Sequence, residues 1–316
     1  MATTATRPAI SASGLRKTFD DKVVLDGIDL TVHEGTIFAL LGPNDAGKTT
    51  IVRILSTLIP ADRGTVRVAG HDLTTEPDAV RAAIGVTGQF SAVDNLLTGT
   101  ENLRLMTRLH HLGRIEGRRR IDRLITRFDL GEMAGKPVSV YSGGMRRRLD
   151  LAMTLVGDPR VIFLDEPTTG LDPRSRHTMW QIIRGLAADG VTVLLTTQYL
   201  DEADQLADRV AVLDHGRIVA DGRPDDLKRR VPGGHIRLRF TDPAALHAAA
   251  GELDATQRDD DHLTLQIPSD GDVRSLRSVL NRLDTAHIDI DRLTIHTPDL
   301  DDVFFALTGA PSEEPR

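Results

Sequence analysis

Residues 42–49 read Gly-Pro-Asn-Asp-Ala-Gly-Lys-Thr; they follow the apolar run TIFALLG (36–42) and precede the helix-like run IVRILSTL (51–58). This is the spacing G-x-x-x-x-G-K-[ST], placed between a strand and a helix as a phosphate-binding loop requires. Glycines let the backbone wrap closely around phosphates, and the amide groups at a helix N-terminus attract anions. A chance glycine-rich turn is the alternative. The pattern predicts a nucleoside triphosphate site formed by Gly42, Pro43, Asn44, Asp45, Ala46, Gly47, Lys48, Thr49 and Thr50.

Two side chains of this loop have chemical roles, and a second motif supplies the two carboxylates that hydrolysis needs. Lys48 is expected to reach the β- and γ-phosphates, and the Thr49 hydroxyl is expected to bind Mg²⁺. The apolar run VIFLDE (161–166) predicts a buried strand with two carboxylates at its end. There, Asp165 can hold the Mg²⁺ shell and Glu166 can orient or deprotonate the attacking water. Adjacent carboxylates repel one another unless a cation lies nearby, so they are poorly explained as surface charges.

Short apolar runs alternate with helix-period segments across residues 13–230. This alternation is typical of a mostly parallel sheet whose strands are buried on both faces. The strongest runs are TIFALLG (36–42), VIFLDE (161–166), VTVLLTT (191–197) and RVAVLDHGRIVADG (209–222), the last with a hairpin turn at its His-Gly pair. We predict an α/β nucleotide-binding domain at 13–230, preceded by a flexible tail at 1–12.

A helical subdomain is predicted inside this domain, at about 95–155. Its apolar face is expected to comprise Leu96, Leu97, Leu103, Leu105, Met106 and Leu109. The basic run GRIEGRRR (113–120) is interpreted as a solvated helix face or loop, with a lipid or nucleic-acid patch as the alternative.

A smaller α+β domain is predicted at 234–309, followed by a flexible tail at 310–316. Alternating strand-like runs and helix-like runs follow one another in the order HIRLRF (235–240), AALHAAAGEL (244–253), HLTLQI (262–267), DVRSLRSVLNRL (272–283), IDIDRLTI (288–295) and LDDVFFALTG (300–309). A unit of this size is near the lower limit for independent folding, so it is expected to be supported by the first domain or by a second copy.

The composition makes several classes of function less favourable. The chain has 316 residues and a net charge of −7, which does not favour the basic surface that nucleic-acid binding needs. It contains no cysteine, which rules out disulfides and zinc-thiolate sites. No stretch approaches the roughly 20 apolar residues of a membrane-spanning helix. Any membrane function is therefore expected to depend on a partner.

Tyr141-Ser142-Gly143-Gly144-Met145 stands before a helix-like run and upstream of the Asp165 strand. It resembles the signature motif of ABC ATPases, which is usually LSGGQ. The resemblance implies a P-loop NTPase fold in which Ser142, Gly143 and Gly144 contact the ATP of a second subunit. A homodimer is therefore expected, with hydrolysis dependent on dimerisation.

Three further residues resemble elements of the same family. Phe19, in KTFD, resembles the aromatic residue that stacks on adenine, although a core phenylalanine is the alternative. Gln89 resembles the glutamine that contacts Mg²⁺ or water and couples to the membrane subunit. Asp172, in GLDP, resembles the loop that crosses the dimer.

Nearly the whole chain resembles the ATP-binding subunits of daunorubicin/doxorubicin-resistance exporters, as in YSGGMRRRLDLA (141–152) and LDEPTTGLDPRSR (164–176). The resemblance implies an ATPase at the cytoplasmic face of the membrane, working as two copies with two copies of a separate permease. Two other interpretations remain open: a soluble ABC protein acting on ribosomes or DNA, and an ATP-binding regulator with weak hydrolysis.

Two residues depart from the usual pattern. Gln198 stands where most ABC proteins carry a histidine, and its neutral amide can donate a hydrogen bond to phosphate but cannot carry a proton. We expect slower hydrolysis, more dependent on Glu166. Asp45 stands where the family usually has glycine; a carboxylate pointing at the phosphates would weaken binding about a hundredfold. We expect Asp45 to point away or to be compensated, with altered affinity or cation dependence.

Overall fold

The computed structural model describes residues 7–89, 92–231, 234–269 and 272–308. They form two compact units, Met1–Pro224 and Asp225–Arg316. The first unit therefore ends at Pro224 rather than at the predicted residue 230. None of the helices in these described ranges is long and apolar enough to cross a bilayer.

The first unit alternates strands and helices along most of its length. Its strands are β1 (Pro8–Phe19), β2 (Lys22–His33), β3 (Ile37–Leu41), β4 (Arg63–Val68), β5 (His71–Asp72), β6 (Ile84–Thr87), β7 (Val161–Asp165), β8 (Thr192–Thr197), β9 (Arg209–Asp214) and β10 (Arg217–Gly222). Its helices are α1 (Lys48–Leu55), α2 (Pro77–Ala83), α3 (Gly99–Leu109), α4 (Arg114–Arg127), α5 (Gly143–Thr154), α6 (Pro173–Ala188) and α7 (Leu200–Leu206), and α8 (Pro224–Lys228) lies at the boundary of the units.

The central sheet has the order β10-β9-β3-β8-β7-β6. Its strands are parallel from β9 to β6, and β10 is joined to β9 by the predicted hairpin turn. The strand predictions for the four apolar runs are therefore confirmed. A second, antiparallel sheet in the order β2-β1-β4-β5 was not predicted, because its strands carry alternating rather than continuous apolar residues.

The core of this unit lies where α1 packs between the sheets. Ile51 and Ile54 of α1 are fully buried with Phe38 of β3 and Phe163 of β7 in one apolar cluster. Burial of a side chain of this size stabilises the fold by about 1.5–3 kcal/mol. This packing anchors the helix that begins at Lys48.

Two sequence expectations for this unit are wrong. The N-terminal tail was expected to extend to residue 12, but β1 begins at Pro8, because residues 10–12 pair with both β2 and β4. The apolar face expected in the helical subdomain is also incomplete: Leu103 is buried, whereas Leu96, Leu105 and Leu109 are exposed. The basic run lies in α4, where Arg118 and Arg119 are exposed, as expected of a solvated face.

The second unit contains β11 (His235–Arg239), α9 (Pro243–Glu252), β12 (Gln257–Asp259), β13 (Thr264–Pro268), α10 (Val273–Ala286), β14 (Arg292–His296) and α11 (Leu300–Thr308). Its antiparallel sheet has the order β12-β13-β11-β14, which together with the two intervening helices is the ferredoxin-like βαββαβ arrangement. Each predicted run of this unit contains a strand or helix of the expected type, although the strand expected from residue 288 begins only at Arg292. The predicted tail at 310–316 lies outside the described residues.

Candidate nucleotide site

Three predicted motifs meet at one edge of the central sheet. Asp165 at the end of β7 is in register with Thr196 of β8, and Leu41 at the end of β3 is in register with Thr197. Because parallel strands end at the same edge, the segments that follow β3, β7 and β8 lie side by side. The phosphate-binding loop, Glu166 and Gln198 are thereby placed along this edge.

The phosphate-binding loop needs glycine at two positions for steric reasons. Gly47 immediately precedes α1 and has φ 109°, and a Cβ there would lie 2.7 Å from Leu25 Cδ2. At Gly42, a Cβ would lie 2.2 Å from the carbonyl oxygen of Leu213. Neither position can hold a larger residue without moving buried neighbours, so the close packing of the loop depends on both glycines.

Lys48 is held against the loop that precedes it. Its Nζ donates hydrogen bonds to the carbonyl oxygens of Gly42 at 2.7 Å and Pro43 at 2.9 Å. Burial lowers the pKa of Lys48, while the negative charges of Glu166, Asp165 and Asp45 oppose that shift. The ammonium group is thus a buried cation at the base of the loop, as a phosphate ligand requires.

Asp165 is oriented by two hydroxyl groups. Its Oδ1 accepts hydrogen bonds from Thr49 Oγ1 at 3.2 Å and from Thr196 Oγ1 at 2.5 Å. The first bond joins the start of α1 to the end of β7, and the second comes from the neighbouring strand. Asp165 is 4% exposed, so these donors stabilise a carboxylate that is largely shielded from water.

The residues around Asp165 suit a divalent cation. No cluster of three or more His, Cys, Asp or Glu side chains that could hold a metal occurs in the described ranges. Thr49 and Asp165 are hydrogen-bonded to each other and could hold a cation together with phosphate oxygens. These are hard oxygen ligands, the set that Mg²⁺ takes in nucleotide sites.

Glu166 has a left-handed backbone that is fixed by β8. Its φ is 48°, and its N–H donates to the carbonyl oxygen of Thr196 at 3.2 Å and to Thr196 Oγ1 at 3.1 Å. Its carboxylate accepts a hydrogen bond from Thr169 Oγ1 at 3.2 Å. Such a conformation is uncommon for a residue with a Cβ and concentrates at functional sites. The strain points to a requirement for Glu166 in this orientation.

The serine-glycine turn before α5 is built as a helix N-terminus. Ser142 is the N-cap, and its Oγ accepts a hydrogen bond from Met145 N at 3.2 Å. Gly144 packs against α6, where a Cβ would lie 2.5 Å from Ser175 Oγ. Ser175 in turn donates its N–H and hydroxyl to Asp172, the N-cap of α6. The signature-like turn and the predicted dimer-crossing loop are therefore in contact within one chain.

The comparisons with known proteins agree with this geometry. A family model described as ABC transporter matches residues 25–169, and one described as ATP-binding protein DrrA1-3-like, C-terminal domain, matches residues 222–308. The daunorubicin resistance ATP-binding protein DrrA3 of Streptomyces coeruleorubidus is 49% identical over 303 residues, which are 95% of this chain and 96% of that protein. The chain belongs to the ABC transporter ATP-binding family.

Other relatives extend the same result. The daunorubicin/doxorubicin resistance protein DrrA of Streptomyces peucetius is 48% identical over 97% of this chain and 94% of that protein. The Nod factor export ATP-binding protein I of Sinorhizobium fredii is 38% identical over 95% of this chain and 86% of that protein. A solved ATP-binding subunit of an ABC transporter superposes with a TM-score of 0.63 at 27% identity, covering 70% of this chain and 92% of the other. ABC cassettes are ATPases, and so is this subunit.

Four other residues that the sequence predicts to contact nucleotide are exposed or half-buried. Phe19 ends β1 and is 42% exposed, with Lys17 Nζ 5.3 Å from its ring centroid, so it is not the core residue of the alternative interpretation. Asp45 has φ 67° and is exposed, and its negative charge acts on Lys48, so its orientation toward the phosphates stays a prediction. Gln89 is exposed, and Gln198 is half-buried directly after β8. Their roles toward nucleotide stay predictions.

Sequence reasoning missed three buried polar residues of the ABC subunit. Thr196 was read only as part of an apolar strand, yet its hydroxyl holds Asp165. Arg147 was read only as part of a resemblance, yet its guanidinium contacts the backbone around Glu166. Glu202 is fully buried and accepts hydrogen bonds from Thr168 and Trp180. Of the three, only Arg147 could have been suspected from the sequence, because it lies a few residues after the signature-like turn.

Proposed function

We propose that this ABC subunit hydrolyses Mg²⁺-bound ATP between two copies of itself and thereby drives export of a drug or antibiotic-like amphipathic compound through a separate membrane subunit. The observation that carries the proposal is the cluster at the sheet edge, in which Thr49, Asp165 and Thr196 are hydrogen-bonded beside Lys48 and Glu166. This cluster provides a cation, hard oxygen ligands and a carboxylate base, which together are what phosphoryl transfer to water requires.

Each residue of the cluster has a separate task. The Lys48 ammonium and the N–H groups at the start of α1 bind the β- and γ-phosphates. Thr49 and Asp165 would hold Mg²⁺, which when bound neutralises charge on the phosphate oxygens. Glu166 orients the attacking water and accepts its proton, and Gln198 donates a hydrogen bond toward the γ-phosphate.

The dimer follows from the position of the serine-glycine turn. Ser142 and Gly143 are exposed at the N-terminus of α5, where free N–H groups can bind a phosphate. Contact with the nucleotide of a second copy would complete each site and leave the pair closed until phosphate is released. Two copies of the permease would then be moved by closing and reopening of the pair at the cytoplasmic face of the membrane.

Export of a drug is supported by the relatives that share the whole chain. Those with 47–49% identity carry names of daunorubicin or doxorubicin resistance proteins, whereas the Nod factor export proteins are 36–38% identical. The C-terminal unit also matches the domain described for DrrA1-3-like proteins. A drug of the kind named in the first group is therefore the favoured cargo over a Nod factor.

Substitution of the proposed base tests this function. Glu166→Gln keeps the size of the side chain but removes the proton acceptor, so turnover should fall about 10²- to 10⁴-fold while ATP binding persists. The subunit should be assayed with its permease in vesicles, by phosphate release, ATP binding and size-exclusion chromatography. A variant with wild-type turnover, or one that stays monomeric at saturating ATP with the permease present, would overturn the proposal.

A further inference from the structure

Arg147 lies on α5, one turn after the serine-glycine turn, and its side chain is only 11% exposed. Its guanidinium donates hydrogen bonds to four carbonyl oxygens in two separate segments. Nε donates to Pro167 at 3.0 Å, Nη1 donates to Gly88 at 2.7 Å, and Nη2 donates to Asp165 at 3.0 Å and to Glu166 at 3.3 Å. The side chain thus joins α5 to the loop after β6 and to the loop after β7.

Carboxylates near Arg147 offset the cost of burying its positive charge. Burial lowers the pKa of Arg147, and the nearby carboxylates of Asp150, Asp165 and Glu202 counteract that shift. Asp150 forms an ion pair with Arg147 at 3.5 Å from the same helix. A buried arginine with a full set of acceptors is stably placed, whereas removal of its charge would leave several acceptors without donors.

The carbonyl groups that Arg147 contacts determine the orientation of Glu166. Those of Asp165 and Glu166 belong to the two peptide groups on either side of the Glu166 Cα. On the other side of the backbone, Glu166 N is held by Thr196. Arg147 and Thr196 therefore both form hydrogen bonds with the left-handed backbone of Glu166. The position of the Glu166 carboxylate depends on that backbone.

The contact with Gly88 links Arg147 to the loop that contains Gln89. Gly88 immediately precedes Gln89, so a single guanidinium connects the start of that loop to the residue proposed as the base. Lysine offers donors from one point, and glutamine offers two donors on one nitrogen. Only the planar fork of arginine can bond four carbonyl groups of two segments at once.

We propose that Arg147 is a positioning residue for hydrolysis: it holds the backbone of Glu166 in its reactive orientation and couples that orientation to the loop of Gln89. This inference rests on the proposed role of Glu166. It assigns Arg147 no contact with nucleotide, so its loss should affect the chemical step rather than ATP binding.

The test compares Arg147→Gln with a matched control, Arg148→Gln. Arg148 is the next residue on α5 and is 16% exposed; its Nη1 donates to the carbonyl oxygens of Phe128 at 2.9 Å and Asp129 at 3.1 Å, away from Glu166. Each variant loses a largely buried arginine whose guanidinium donates hydrogen bonds to carbonyl oxygens. Only Arg147→Gln should lower kcat, by about 100-fold, because displacement of a catalytic group by about 1 Å has an effect of that size.

The measurements are made on the full chain with its permease in vesicles. The KM for ATP and the equilibrium affinity for a fluorescent ATP analogue should stay within about threefold in both variants, because neither touches the phosphate loop. Arg147→Lys should show an intermediate kcat, and it decides the question if Arg147→Gln does not fold. A kcat within threefold of wild type for Arg147→Lys and Arg147→Gln, or an equal fall in Arg148→Gln, would overturn the proposal.

A double-variant cycle separates positioning from general structural support. If Arg147 acts through Glu166, then Arg147→Gln should lower the residual turnover of Glu166→Gln no further. Additive losses would show that Arg147 supports the fold independently of Glu166. Should Glu166→Gln alone retain full turnover, the proposed function fails, and that result is distinct from additive losses in the cycle.

Discussion

Replacement of Thr196 by valine removes one hydroxyl from the site and almost nothing else. Thr196 is fully buried, and valine has nearly the same shape. The variant loses the 2.5 Å hydrogen bond from Thr196 Oγ1 to Asp165 and the 3.1 Å hydrogen bond that Glu166 N donates to the same hydroxyl. Glu166 N keeps its bond to the Thr196 carbonyl oxygen at 3.2 Å, so no backbone donor is left unpaired.

The structure allows the size of the effect to be worked out. A hydrogen bond to a charged group contributes about 1.5–3 kcal/mol, and at about 2–4 °C per kcal/mol for a domain of this size its loss lowers Tm by about 3–12 °C. Asp165 would then be oriented only by Thr49, at 3.2 Å. Loss of a partner that orients a metal-binding carboxylate weakens metal affinity about 10- to 100-fold, so half-maximal ATPase activity should need about tenfold more Mg²⁺.

Thr192→Val is the matched control. Thr192 lies at the opposite end of β8, is 1% exposed, and its hydroxyl accepts a hydrogen bond from Gly35 N at 3.0 Å. Its loss should lower Tm by about 2–4 °C, as for a neutral hydrogen bond, without changing the Mg²⁺ requirement. The assay is phosphate release across a Mg²⁺ titration, with calorimetry for Tm. Equal Mg²⁺ requirements in the two variants would refute the role assigned to Thr196.

Two further predictions concern the other carboxylates. Burial raises the pKa of Glu202, so the folded state binds its proton more tightly than the unfolded state and stability falls as pH rises from the ordinary glutamate value through the raised one. The Tm of Glu202→Gln should therefore rise relative to wild type as the pH increases above the ordinary glutamate pKa, and a pH-independent difference in calorimetry would contradict this. Asp45→Gly, which suits φ 67°, should tighten ATP binding about threefold, because an exposed carboxylate about 6 Å from a phosphate acts through water. Unchanged ATP affinity, Mg²⁺ dependence and monovalent-cation dependence in equilibrium titrations would remove Asp45 from nucleotide binding.

The amino-acid sequence by itself determined the elements whose signal is local. The phosphate-binding loop, the Asp165–Glu166 pair and the turn at Ser142 are each contiguous, and each stands beside a strand or helix that its own apolar pattern predicts. The same holds for the strands of the central sheet and for the alternating runs of the second unit. Short-range backbone preferences and burial patterns are enough to specify such features.

Only the tertiary structure decided which distant residues complete the site. Thr196 meets Asp165 through the register of β7 and β8, and Arg147 reaches Gly88 and Glu166 because α5 packs across two loops. The exposure of Phe19, Leu96 and Leu109 likewise depends on which surfaces other segments cover. The sequence around Thr196 or Arg147 does not indicate which residues they contact, because those contacts are made between segments far apart in the chain.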